Sequence, residues 1–258
     1  MKLCVLMMAL ATLLVPVQSS AVPVSLWSAE GNANDVVDGN NGILKNGASF
    51  APGKVGQAFS LDGVNDYVLV PNSANLNFGT GDFSIEAWVK TSFRGGSAND
   101  FILARISVGT DIQYAFIYKA SLAGDGSAFF AIGSTAVEPG ISIADGNWHL
   151  LDGVRQGTLL SFYIDGLLVG TANTPTLLNI VSTNNLTIGG RESAGNDPYF
   201  TGLIDEAAVY NYALSAAEIR QHAGIPAPST LLLLMLGLAG LGRVAKRSAR
   251  NRVSHIAV

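Results

Sequence analysis

Alternation of apolar and polar side chains marks two stretches of the chain most clearly. In "DYVLVP" (66–71) and "FSIEAWVKT" (83–91) neighbouring positions differ in character, which is the period of two of a half-buried strand. Within the second stretch Phe83, Ile85, Ala87 and Val89 hold one parity, and Ser84, Glu86, Trp88 and Lys90 hold the other. The first set is expected in a core. The second faces outward, and Trp88 leaves it partly apolar. Further apolar runs lie at 101–108, 112–119, 128–133, 148–156, 159–165, 167–172, 186–190 and 202–210. Turns rich in Gly, Asn and Asp separate them, so about ten strands of an antiparallel sandwich are predicted. Asp165-Gly166 sits between two of these runs. That pair favours a two-residue type I′ turn, because both central residues need positive φ.

One short helix is expected near the end of the series. Ser215 precedes "AAEIRQH" and Glu218 follows three residues later, so each side chain can bond the other's backbone N–H as a capping box. Gly224 can end this helix, and Pro226 and Pro228 forbid its continuation. The sequence contains no internal repeat.

The two ends of the chain differ in character from its middle. Lys2, an apolar segment over 3–15, and Ser19 and Ala21 at the −3 and −1 positions before Val22 have the form of a secretory signal over 1–21. Its apolar core is shorter than the roughly 20 residues of a spanning helix, and Pro16 interrupts its end. Cleavage is therefore expected. It removes Cys4, the only cysteine, so the exported domain must be held by its core rather than by disulfides. At the other end, Ile225–Gly242 is eighteen residues without a charge, and Arg243, Lys246, Arg247, Arg250 and Arg252 follow it. This run can cross a bilayer, with its basic end retained in the cytoplasm.

Between Val22 and Ile225 the 19 acidic residues outnumber the basic ones by ten, because only nine of the 15 Lys and Arg lie there. An acidic surface argues against nucleic acid as a partner, since phosphates require a basic face.

Three blocks, "AFSLDGVNDYVLVPNSANLNFGTGDFSIEAWVKT" (58–91), "GNWHLLDGVRQGTLLSFYIDGLLVGT" (146–171) and "LTIGGRESAGNDPYFTGLIDEAAVYNYALSAAEI" (186–219), resemble the laminin G-like domains of the concanavalin A-like lectin and glucanase superfamily. "EGNANDVVDGNNG" (30–42) is similar to that family's opening segment. The resemblance implies an all-β fold for 22–222: a two-sheet antiparallel jelly-roll sandwich with one short C-terminal helix. One departure stands out. After Trp148-His149 the chain places Leu150 where the family has a second His, and it inserts Asp152 and Gly153. A bulge or a strand end is expected there. Residues 223–258 resemble a second element, the PEP-CTERM sorting signal of Gram-negative bacteria, through Pro226-Ala227-Pro228, Ser229, Thr230, the apolar run and Arg243. That likeness implies transient anchoring in the inner membrane and processing by an exosortase-type enzyme.

Candidate chemistry is sparse. The superfamily's bacterial glucanases carry Glu-x-Asp-x-x-Glu on one strand, and the chain lacks that pattern. Asp205 and Glu206 are adjacent, so on a regular strand they would point to opposite faces. His149 falls in a strand, His222 at a helix end and His255 in the tail, and none belongs to a catalytic motif. Many relatives hold one calcium ion, which takes carboxylate and carbonyl oxygens from loops. The candidate ligands here are Asp35, Asp62 and Asp205, each of which could instead serve a turn or accept from backbone N–H groups. Trp88, Phe93, Tyr199 and Phe200 are the aromatics that could stack on a sugar. The chain thus reads as an exported, non-catalytic module that binds glycan or protein at the cell surface or in the extracellular matrix. Two rival readings are a structural matrix component without a specific ligand and a glycan-active enzyme.

Overall fold

Each of the ten apolar runs singled out between residues 66 and 210 forms a strand in the computed structural model, which describes residues 22–94, 99–106, 112–119, 126–192 and 199–225. In chain order the strands are β1 (Ser25–Trp27), β2 (Ile43–Lys45), β3 (Ser49–Pro52), β4 (Gln57–Asp62), β5 (Tyr67–Val70), β6 (Phe83–Lys90), β7 (Asn99–Ile106) and β8 (Ile112–Lys119). They continue with β9 (Ala128–Ile132), β10 (Thr135–Val137), β11 (Trp148–Gln156), β12 (Leu159–Ile164), β13 (Leu167–Asn173), β14 (Leu186–Ile188) and β15 (Thr201–Tyr210), and α1 (Ala216–His222) follows.

Two antiparallel sheets result. The larger runs β13-β12-β11-β6-β15-β4-β3, with β1 also paired to β15. The smaller runs β10-β9-β8-β7-β14-β5-β2. Strands distant in sequence lie side by side in both, as in a jelly roll. The inner faces meet in one core, in which Phe116 of the smaller sheet lies 5.9 Å from both Phe130 and Phe162. Burying each such ring stabilises the fold by about 1.5–3 kcal/mol.

The predicted turn and helix signals act as expected. Asp165 and Gly166 have φ of 52° and 77°, which fits a two-residue turn. Ser215 accepts from Glu218 N while the Glu218 carboxylate accepts from Ser215 N, so the capping box is complete. At the far end Gly224 has φ of 73°, its N–H donates to Gln221 O, and Ile225 N–H donates to Arg220 O. These are the paired bonds of a Schellman stop.

Two expectations need correction. The outer parity of β6 is only partly exposed: Ser84 and Glu86 are buried along with the core-facing residues. α1 and the segment leading into it cover them, with Ile219 and Leu214 packed on Val154, Ala208 and Tyr210. Nor does β11 bulge or end at Asp152-Gly153. It pairs with β6 from Trp148 to Arg155 and with β12 from Leu151 to Gln156 without a shift of register. Gly153 has a packing reason instead, since a Cβ there would lie 2.5 Å from the Phe130 ring. On the other side of β6 a bulge lies in β15, between Asp205 and Ala208, where Glu206 has φ of 47°.

Among the described residues no helix is long and apolar enough to cross a membrane. The predicted signal at 1–21 and the sorting residues Pro226, Pro228, Ser229, Thr230 and Arg243 lie outside the described residues.

Candidate functional site

Two polar regions are built on the central strands of the larger sheet, one at the strand ends and one on the outer face. The first is an open cleft of about 460 Å³ where β6 ends and β15 begins, lined by residues 90–94, Gly146 and residues 201–203. Its floor is fixed by close backbone packing. Gly202 has φ of 146°, and a Cβ there would lie 2.4 Å from Lys90 O, so only glycine lets the strands approach so closely. Thr91 Oγ1 donates to Thr201 O at 2.7 Å and accepts from Phe93 N at 3.0 Å. The Tyr118 hydroxyl donates to Phe93 O. Arg94 is braced through Nη2, which donates to Ser142 Oγ at 2.9 Å and to Ala144 O at 3.3 Å. On this frame the Phe93 ring is 38% exposed. The cleft thus offers an aromatic surface, two cationic side chains and hydroxyls in one concavity, which is the mixture of apolar body and a few polar groups found at small-ligand sites.

The second region lies under α1. Glu86 and Asp152 are cross-strand partners on β6 and β11, with Ala208 opposite Glu86 and Tyr163 opposite Asp152 in the same row. His222, in the last turn of α1, brings Nδ1 to 2.6 Å from Glu86 Oε2, and its ring stacks on Tyr210. The Tyr210 hydroxyl is 3.4 Å from Glu86 Oε1. Asp152 is wholly buried, no N–H or hydroxyl group donates to either of its oxygens, and the Glu86 carboxylate lies within hydrogen-bond reach of it. Burial pushes its pKa well above the usual carboxylate range, and the Glu86 charge adds to the shift. The hydrogen bond to Glu86 raises the His222 pKa against the opposing effect of burial. No motif in the sequence announces this group. The available hints were a charged residue inside the apolar run 148–156 and a second acid on a central strand.

The three predicted calcium ligands are not brought together. Asp35 accepts from the N–H groups of Leu26, Val37 and Asn40, which folds the loop between β1 and β2. Asp62 ends β4 and accepts from Val64 N. Asp205, fully buried, accepts from Lys54, Val55 and Glu206 N–H and so holds the β3–β4 turn. Burial, assisted by Asp205 and then Glu30, pushes the pKa of neighbouring Glu206 up to about 7. These three aspartates serve backbone donors in separate places and do not fit a single calcium cage. Of the four candidate aromatics only Phe93 reaches the cleft. Phe200 lies in the core against Tyr118, Tyr199 lies beside Tyr67, and Trp88 carries Lys54 Nζ 4.0 Å above its ring. His149 bridges two surface turns, with Nδ1 2.8 Å from Asp165 and Nε2 3.1 Å from Asp145.

A family model for the concanavalin A-like lectin/glucanases superfamily matches residues 62–220. No curated protein gives a significant match. Among solved structures, domain 4 of the GH43 extracellular arabinanase AbnA of Geobacillus stearothermophilus, in complex with arabinotriose, superposes with a TM-score of 0.64 at 18% identity, covering 80% of this chain and 100% of that one. The binding domain of Paraclostridial Mosquitocidal Protein 1 gives 0.61 at 14% identity, covering 77% of this chain and 52% of that one. The binding domain of botulinum neurotoxin DC in complex with SialylT gives 0.59 at 14%, covering 78% of this chain and 50% of that one. The chain therefore spans about half the length of the two toxin domains and all of the arabinanase domain. Identities this low show a shared fold.

Proposed function

Because the chain belongs to the concanavalin A-like lectin/glucanases superfamily, we propose that it is an exported, non-catalytic binding module whose cleft at residues 90–94 and 201–203 takes an oligosaccharide. The observation that carries this reading is the exposed Phe93 ring on a braced cleft floor, beside Lys90 and Arg94. A sugar has an apolar face and a rim of hydroxyls, which match a ring and its flanking polar groups. Among the described residues the lining supplies no pair of opposed carboxylates, which glycoside hydrolysis uses. Two of the structural relatives were solved in complex with arabinotriose and with SialylT, which supports an oligosaccharide ligand here. A glycan array with the full chain tests the reading. Binding that falls about tenfold in Phe93→Ala, at unchanged stability, supports it. An array without hits favours a structural matrix component.

Delivery is part of the proposal and rests on sequence. The signal at 1–21 exports the domain, and the tail from Ile225 with its Pro226-Ala227-Pro228 start holds it in the inner membrane until an exosortase-type enzyme cuts it. Mass spectrometry of the surface-released protein should find no peptide covering "LGRVAKR". Recovery of that peptide would remove the processing step. Calcium is left out of the proposal, because the three aspartates do not converge.

A further inference from the structure

Two carboxyl groups placed directly opposite each other on neighbouring strands cannot both carry their charge without destabilising a sheet. Glu86 and Asp152 hold such positions at its centre, where water cannot separate them. The imidazole of His222 attends Glu86, while Asp152 keeps two buried oxygens without a donor. A buried carboxylate left in that state is costly, and one divalent cation would relieve both acids at once. The ligand atoms of the three side chains already lie within 4.8 Å of one another. We propose that Glu86, Asp152 and His222 form a binding site for a divalent transition ion of the zinc type, which fastens α1 to the outer face of the larger sheet.

The donor set selects the metal class. Two carboxylate oxygens and an imidazole nitrogen suit zinc, which takes four ligands of this kind and can leave one position for water. Calcium wants six to eight oxygens, and the apolar neighbours Val154, Ala208 and Ile219 have none to offer from their side chains. Water and the ion can enter beside His222, whose side chain remains 21% exposed. Tyr210, with its hydroxyl near Glu86 Oε1, is placed to orient that carboxylate, a supporting contact typical of metal sites. The site is separate from the cleft, and its presence does not depend on what the cleft binds.

The test uses the full chain, stripped with chelator and titrated with zinc by calorimetry, with cobalt absorption as a report on the ligand set. Saturable binding at one site, a rise in melting temperature and no rise with calcium are expected. Asp152→Asn and His222→Gln should each weaken zinc at least about tenfold, whereas His149→Gln, at the other histidine–carboxylate contact, should leave it unchanged. Asn keeps the shape of the Asp it replaces and Gln keeps a polar, uncharged group in place of the imidazole, and circular dichroism in chelator verifies that both variants fold. Absence of saturable binding overturns the proposal, and so does binding that survives both substitutions.

Discussion

Glu86 and Lys90 share one face of one strand, yet the first is buried among polar partners and the second borders open solvent at the cleft. β6 pairs with β11 without a break between them, while β15 on the other side bulges between Asp205 and Ala208. What differs is the cover. α1 lies over the Ser84–Glu86 end, whereas among the described residues Trp88 is covered only by the Lys54 side chain and Lys90 borders the cleft. The outer face of a sheet therefore has no fixed character of its own. A seven-residue helix, seated mainly by Ile219, turns one half of it into a buried polar interior and leaves the other half free to meet a ligand.

Removing the seat of that helix should erase the contrast. Ile219→Ala is expected to cost about 2–5 kcal/mol, read by denaturant unfolding, and to open the Glu86–Asp152 pair to solvent while ligand binding at the cleft persists. If stability stays at the wild-type level, α1 is not the cover it is taken to be. A smaller loss follows from the inner face of the neighbouring strand β11. Gly153→Ala drives a Cβ into the Phe130 ring and should cost about 1–3 kcal/mol.

Gly153 also shows where the sequence could be read and where it could not. The strands with clear alternation or flanking turn residues were legible, and so were the Asp165-Gly166 turn and the Ser215–Glu218 cap. β1, β2, β3, β4 and β10 were not singled out, because they are mostly short, and β2 and β3 are half-buried edge pieces whose pairing is set by distant partners. Asp152-Gly153 looked like a defect in a strand. In the fold each residue answers to something remote in sequence: Asp152 to Glu86 and His222, and Gly153 to a ring of the other sheet. Of the site, Phe93 was legible as an aromatic candidate. The cleft around it was not, because it requires β15 to lie beside β6.

Two further substitutions separate the ends of the row by smaller amounts. Ser215→Ala removes the cap of α1 and should lower stability by about 1 kcal/mol, an effect confined to the covered end. At the open end His149 offers a pH dependence. Its pKa is raised, first by the hydrogen bond to Asp165 and then by Asp145, with burial opposing. A raised folded pKa means that the contribution is fully present below the unfolded value of about 6.5 and is lost as pH climbs through the folded value. Unfolding midpoints should therefore fall slightly from pH 6 to pH 8 (approximate bounds), and His149→Gln should remove that part of the slope. The effect stays small because both carboxylate partners are about half exposed.

The central claim is that the open end, and not the covered one, meets the ligand. Backbone amide chemical shifts recorded while the best glycan-array hit is titrated into the protein decide it. The account predicts shifts centred on residues 90–94, Gly146 and residues 201–203, with those of Glu86, Asp152 and α1 unmoved. Shifts centred on the outer face of the smaller sheet, or on the loop around Asp35, would contradict it.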